Sequence, residues 1–174
     1  MISHNMTVAL NDQINAELNS AYLYLSMSLD ADSKALKGVA NWFFIQWLEE
    51  QDHARIFQNY LLDQDEKVRL HPIGEVPNKW ESPLEMFKEA LAHEKEVTRL
   101  INELVRLSIK ERDMATLSRL KWFVDEQVEE EANAREQVDA FSRIEGYPQL
   151  IGPLDKELLE RSYKKAGPLR EDSK

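Results

Sequence analysis

Glu50 and His53, within the stretch LEEQDH at residues 48–53, fall where the apolar pattern of a long helical segment calls for hydrophobic side chains. At alternating steps of four and three, that segment reads Val39, Phe43, Gln46, Glu50, His53, Phe57, Tyr60, the spacing of a seam facing the inside of a bundle. Three other segments are interrupted in the same way. Glu17 sits among Leu10, Ile14, Ala21 and Tyr24, and Glu94 among Leu84, Phe87, Leu91, Thr98, Ile101 and Val105. Gln127 and Glu130 sit among Leu120, Phe123 and Ala134. Carboxylates and one imidazole at core positions are oxygen and nitrogen donors suited to a divalent cation.

The interruptions share one offset. Seventy-seven positions carry Glu17 to Glu94 (94 − 17), Glu49 to Glu126, Glu50 to Gln127 and His53 to Glu130, so the chain reads as two copies of a helical hairpin. The midpoints between Glu17 and His53 and between Glu94 and Glu130 place the hairpin turns at residues 35 and 112. Positions equidistant from an antiparallel turn stand at one height, because each residue rises about 1.5 Å. Glu17 is therefore expected to face Glu50 and His53, and Glu94 to face Gln127 and Glu130, with all six in one layer. Burying several carboxylates costs more than helix packing offsets unless a cation compensates them. One Glu from each of two helices plus an i, i+3 pair from each of the other two is the known ligand pattern of di-iron carboxylate bundles. Iron or manganese suits this donor set, and zinc would also bind.

Four segments must position these residues. Uninterrupted helical periodicity covers about residues 5–31 and 37–64, and two further helices are expected over 83–110 and 113–145. Ser82, Pro83 and Glu85 form a helix start, Asp113 is an N-cap, and Gly146 with Pro148 forms a stop. Residues 65–83 hold three prolines and one glycine without a sustained period, and read as a connection long enough to cross the bundle. The third helix then runs parallel to the second. A short amphipathic fifth helix is expected over 153–165, followed by a loose tail at 167–174. The expected fold is all-α and a single domain: a four-helix bundle with one long crossover and a short C-terminal helix.

The chain has 174 residues, 43% of them hydrophobic and 31% charged, a balance suited to a folded helical domain. With no cysteine, thiolate ligation and disulfides are excluded. A net charge of −10 works against non-specific nucleic-acid binding and favours cations as guests. MISHNMTVALNDQ lacks the features of a secretory leader, and no stretch approaches the roughly 20 apolar residues that span a bilayer. A cytoplasmic location with neither membrane nor nucleic-acid partner is the expectation.

Over nearly its whole length the chain resembles the bacterial non-haem ferritins, in the segments QINAELNSAYLYLSMS, WLEEQDHAR, HEKEV and LKWFVDEQVEEE. The resemblance implies a ferritin-like bundle, assembled as a hollow 24-subunit shell, that oxidises Fe(II) with O2 or H2O2 and stores Fe(III) mineral inside. It implies Glu17, Glu50 and His53 as ligands of one ferroxidase iron, with Glu50 bridging to a second held by Glu94 and Glu130. Gln127 matches the glutamine beside that centre, and Tyr24 the nearby tyrosine, which could supply an electron or a hydrogen bond or simply pack. Glu49, Glu126 and Glu129, with Glu130 shared, match a third iron site. On spacing alone, Glu129 and Glu131 are equally readable as a solvated face.

The second pair departs from the doubled Glu-x-x-His of bacterioferritins, and residue 52 is Asp where a haem-ligating Met would stand nearby, so no haem is expected. The effects of Gln51 and Asp52 are open at this stage. His4, His71 and His93 read as surface or capping residues, and Trp42, Trp47, Trp80 and Trp122 as packing or subunit contacts. Leu154, Leu158 and Leu159 either line a symmetry axis or pack on the bundle. A small di-iron oxygenase or peroxidase and a non-catalytic acidic helical module are the competing classes; shell formation with iron uptake separates them from storage.

Overall fold

The two hairpins form as their periodicity dictates, with left-handed residues at both expected turns: Ala35 at φ 59° and Arg112 at φ 58°. The computed structural model describes residues 2–170. Helix α1 spans His4–Ser33, α2 Lys37–Asp63, α3 Pro83–Glu111 and α4 Met114–Arg143. Their starts follow the capping chemistry of the sequence. Ser82 accepts from the Glu85 N–H and Pro83 occupies the first turn of α3, while Asp113 accepts from the Thr116 N–H at the start of α4. Helix α4 is followed by Gly146 at φ 84°.

α1 packs along α2 and α3 along α4. The crossover is held by a ladder on α1. Asn11, Asn15 and Asn19 recur every fourth residue, one above the other on one helical face. Asn11 accepts from the Arg69 N–H and donates to the Lys67 carbonyl; Asn15 accepts from the His71 N–H and donates to the Arg69 carbonyl; Asn19 accepts from the Gly74 N–H. Farther along, Ser26 donates to the Pro77 carbonyl, and Asp30 accepts from the Trp80 N–H. The strap thus ascends beside α1 from its start to its end, which brings α3 in parallel to α2, as its length requires.

The core divides into two apolar clusters. One contains Tyr24, Met27, Phe43, Trp42 and Phe87; the other contains Met6, Leu10, Ile14, Phe57, Ile101 and Phe123. Phe57 and Phe123 stack with centroids 4.0 Å apart. Each fully buried large apolar side chain contributes roughly 1.5–3 kcal/mol, so these clusters supply the stability that a polar layer between them consumes.

The C-terminal region differs from the expected helix at 153–165. A 3-10 turn at Pro148–Leu150 leads into α5, Ile151–Leu158. Pro148 starts the helical path, and Pro153 falls in the first turn of α5, where a missing N–H leaves no carbonyl unpaired. The helix ends early because Asn41 on α2 donates to the carbonyls of Leu158 and Arg161, drawing the chain out across α2. The Tyr163 hydroxyl and the Ala166 N–H then donate to Asp52. Asp52 therefore clamps the C-terminal segment, and Gln51 donates to the Trp47 carbonyl within its own helix. The expected tail at 167–174 begins instead with a helical turn, α6 Gly167–Arg170, whose Leu169 is buried in the second cluster; residues 171–174 lie outside the described residues.

Helix α2 has Leu36 at its N-cap, which offers no side-chain acceptor. Asp155 of α5 replaces it, accepting from the Val39 N–H at 2.8 Å. This approach demands glycine at position 38, where a Cβ would lie 1.6 Å from the Asp155 carbonyl oxygen. Leu158 packs in the first cluster, Leu154 packs partly against it, and Leu159 is 50% exposed.

Candidate metal centre

The four carboxylates Glu17, Glu50, Glu94 and Glu130 meet His53 and Gln127 between the two apolar clusters, and none of the six is more than 4% exposed. Each comes from the middle of its helix, as equal height about the two turns requires. Ligand atoms of Glu17, Glu50 and His53 lie within 4.8 Å of one another, as do those of His53, Glu126 and Glu130. His53 thus stands between two groups of donors. Its ring is wedged edge-on against Trp122 at 5.5 Å and Phe123 at 6.0 Å, so α4 fixes its orientation.

Glu17 Oε1 accepts from Gln13, one turn earlier on α1. Glu17 Oε2 and Glu50 Oε2 are buried without any hydrogen-bond partner, and His53 Nδ1 approaches Glu50 Oε2 only to 3.5 Å. An orphaned buried oxygen carries a desolvation cost of about 1–3 kcal/mol, more when charged. Two side by side fit a bound cation or, without one, a shared proton between the raised carboxyls.

Glu94 is held differently. Its Oε1 accepts from the Tyr24 hydroxyl and its Oε2 from Gln127 at 3.1 Å. Tyr24 stacks at 6.0 Å on Phe43, so the ring packs while its hydroxyl serves a carboxylate. Gln46, fully buried one turn before Glu50, donates to Glu130 Oε2 at 2.9 Å. Gln13 and Gln46 complete the layer; their signal in the sequence is a glutamine one helical turn before Glu17 on α1 and before Glu50 on α2.

Burial raises the pKa of Glu17 well above the ordinary carboxylate value, and the charge of Glu50 adds to this. Burial likewise raises Glu50, with Glu94 and Glu130 next in importance, and pushes Glu94 up to about 8 with help from Glu130. Burial and the charge of Glu94 raise the Tyr24 hydroxyl, which keeps it a donor. The layer attracts protons or cations.

Glu49 and Glu126 are half-buried beside this layer, and Glu49 is pushed up to about 7 by burial, against the opposing charge of Arg161. Neither Glu49 nor Glu129 is part of either ligand group; Glu129 is exposed, whereas Glu131 is half-buried and accepts from Thr98 at 2.7 Å. Glu129 thus lies on a solvated face, as the spacing allowed, and Glu131 does not.

His93 departs from the surface role expected of it. It is half-buried, shares a 2.7 Å hydrogen bond with the buried Ser20 and meets Tyr24 edge-on, and burial lowers its pKa. His4 and His71 are exposed. Trp42 and Trp80 are core residues.

Four helices enclosing a buried layer of four carboxylates, an imidazole and a carboxamide match the architecture of carboxylate-bridged metal bundles. Comparison with known proteins narrows the class. The family model described as Ferritin-like domain matches residues 7–144. The chain is 36% identical to the "Bacterial non-heme ferritin" of Staphylococcus haemolyticus over 163 residues, which is 94% of this chain and 98% of that one. It is 36% identical to the protein of the same name from Staphylococcus aureus strain MRSA252, with the same coverage. Among solved structures, a ferritin from Archaeoglobus fulgidus engineered into a closed form superposes with TM-score 0.92 at 44% identity, covering 94% of this chain and all of that one. The open-pore ferritin of the same archaeon superposes with TM-score 0.91 at 45% identity, covering 92% of this chain and 98% of that one. The chain belongs to the ferritin family. No helix among the described residues is long and apolar enough to cross a membrane.

Proposed function

We propose that this chain is an iron-storage subunit that oxidises Fe(II) in the buried layer and delivers Fe(III) to the interior of a 24-subunit shell. Glu17, Glu50 and His53 bind one substrate iron, and Glu94 and Glu130 bind a second, with Glu50 between them. The observation that carries this reading is the pair of orphaned oxygens on Glu17 and Glu50, which sit within reach of His53 while the other buried side-chain N and O atoms among the described residues have partners.

Four carboxylates against one imidazole offset the charge of two divalent ions and favour their oxidised product, with O2 or H2O2 taking the electrons. Carboxylates can change between bridging and terminal coordination as charge builds, so the product is not trapped. Tyr24 and Gln127 orient Glu94, and Gln46 orients Glu130, while the aromatic rings on α4 hold His53. Glu49 and Glu126, with Glu130 shared, form an outer station for a third iron, and Glu129 would have to turn inward to join it. The family favours iron as the cargo, and the relatives named bacterial non-heme ferritin favour a centre without haem and a cytoplasmic site of action.

The test combines size and chemistry. The intact protein should elute as a shell of several hundred kilodaltons, take up iron, and oxidise Fe(II) rapidly. Glu50→Ala combined with His53→Ala should assemble normally and lose rapid oxidation. Unchanged oxidation in the assembled double variant would overturn the assignment of the centre.

A further inference from the structure

Arg161 lies in the extended segment between α5 and α6 and reaches the candidate outer site from outside the four-helix bundle. Its Nη2 donates to Glu49 Oε2 at 2.7 Å and to Gln46 Oε1, and its Nη1 donates to the Trp42 carbonyl at 3.3 Å. The guanidinium also lies 4.6 Å from the centre of the Trp42 ring. Behind it, Asn41 fixes the Arg161 carbonyl at 3.0 Å. Both side chains of the ion pair are largely covered, Arg161 being 22% and Glu49 21% exposed. A flexible surface pair rarely has this many fixed partners.

We infer that Arg161 is a built-in counter-ion of the outer site, occupying Glu49 when no iron is there and competing with the third Fe(II) for it. This rests on the reading that Glu49 and Glu126, with Glu130, hold metal beside the di-iron centre. Glu49 Oε2 is already committed to the guanidinium, and a divalent ion coordinated by Glu49 would stand beside a second cation in a half-buried site. Like charges so placed repel strongly because solvent screening is weak there. Iron therefore fills this station only when Arg161 swings away, which keeps the outer carboxylates neutralised between turnovers.

The same side chain extends the competition inward. A guanidinium has donors and no acceptor, so Gln46 must turn its carbonyl oxygen to Arg161 and its NH2 to Glu130. Release of Arg161 frees Gln46 to rotate and loosens its hold on Glu130, a ligand shared by the inner and outer stations. Arg161 is thus a positioning residue, acting through Glu49 and Gln46.

The experiment uses the assembled, metal-free protein and Zn(II), which is redox-inert, with site occupancies from anomalous scattering in soaked crystals and affinities from calorimetric titration. Arg161→Gln should bind Zn(II) at the outer station at least tenfold more tightly than the wild type, with a smaller change at the inner site that shares Glu130. Arg161→Lys, which keeps a cation but loses the planar fork, should fall between them and serves as the readout if the Gln variant fails to assemble. In wild-type crystals with Zn(II) at Glu49, Arg161 should have left Glu49. Inner sites filled with equal outer affinity across the variants, or outer Zn(II) beside an unmoved Arg161, overturns the counter-ion role alone. Absence of Zn(II) from all of these residues in every protein overturns both this role and the metal-site reading beneath it.

Discussion

Glu17 on α1 and Glu50 on α2 each bury one carboxylate oxygen with no hydrogen-bond donor, and their ligand atoms stand within 4.8 Å of each other and of His53. Without metal this pair opposes folding. Glu50→Gln puts a neutral amide where burial and the charges of Glu94 and Glu130 oppose an ionised carboxylate, and should stabilise the metal-free chain at pH 8 by roughly 1–3 kcal/mol, while weakening metal binding. Denaturant titration of the metal-free protein, paired with Zn(II) titration, checks both signs. Lower stability of the metal-free variant would show that the layer is balanced without a cation.

The raised carboxylates give a definite pH dependence. Burial pushes Glu94 to about 8 and Glu49 to about 7, against an ordinary value of 4.5. Over that interval the folded chain holds more protons than the unfolded chain, so stability falls as pH rises. The contribution is fully present below 4.5 and is lost as pH passes through 7 and 8. The metal-free protein should therefore unfold at lower denaturant concentration at pH 8.5 than at pH 6. Metal loading should flatten this slope and release protons, more at pH 6.5 than at pH 9, as a pH-stat would record.

Tyr24 donates to Glu94 while its ring stacks on Phe43. Tyr24→Phe keeps the stacking and frees Glu94 Oε1 from its donor. The expected result is unchanged assembly, roughly 1 kcal/mol lower stability of the metal-free protein, and slower Fe(II) oxidation with undiminished Zn(II) stoichiometry. Stopped-flow oxidation and Zn(II) titration on the same sample separate these effects. A fall in Zn(II) stoichiometry would mean that the hydroxyl is needed to form the site rather than to tune it.

The bundle and its polar layer were legible because they rest on repetition. The 77-residue offset placed Glu17, Glu50, His53, Glu94, Gln127 and Glu130 at one height, and the turns fell at Ala35 and Arg112 despite the absence of glycine at either. Periodicity reports which face of a helix is buried, and the layer is a property of that face. It does not report contacts from segments without a period. Arg161 and Asp155 reach α2 from the C-terminal region, and their partners Gln46, Glu49 and the Val39 N–H are distant in sequence. The early end of α5 has the same origin: PLDKELLERSYKK is amphipathic throughout, but hydrogen bonds from Asn41 and to Asp52 favour an extended path. The partial burial of His93 is likewise invisible to periodicity, because its partner Ser20 lies on another helix.

The asparagine ladder shows how a polar face can dictate topology. Asn15 is buried and binds the strap at two backbone positions, the Arg69 carbonyl and the His71 N–H. Asn15→Ala leaves both unpaired and should cost about 2–3 kcal/mol, with hydrogen exchange accelerated at residues 67–74 and the carboxylate layer unaffected. Asn15→Asp keeps the acceptor for His71 and should recover part of the loss. Equal exchange in the wild type and Asn15→Ala would show that the strap is held elsewhere.

Gly38 concentrates the relation between bundle and C-terminal segment at one atom. A Cβ there would stand 1.6 Å from the Asp155 carbonyl oxygen and 2.6 Å from its carbonyl carbon, and backbone cannot rotate aside as a side chain can. Gly38→Ala favours helix locally, by up to about 1 kcal/mol, yet it must lift α5 away from α2. Lifting breaks the Asp155 cap on Val39 and uncovers Leu158, so the net loss should be about 2–4 kcal/mol. Asp155→Asn, which keeps a capping oxygen without adding bulk, should cost less than 1 kcal/mol. Because Arg161 follows α5 directly, Gly38→Ala should also detach the guanidinium from Glu49 and strengthen outer-site Zn(II) binding. Thermal unfolding, hydrogen exchange over residues 151–169 and Zn(II) titration test these linked outcomes. A variant that keeps α5 protected from exchange would show that α2 can yield at its first turn instead.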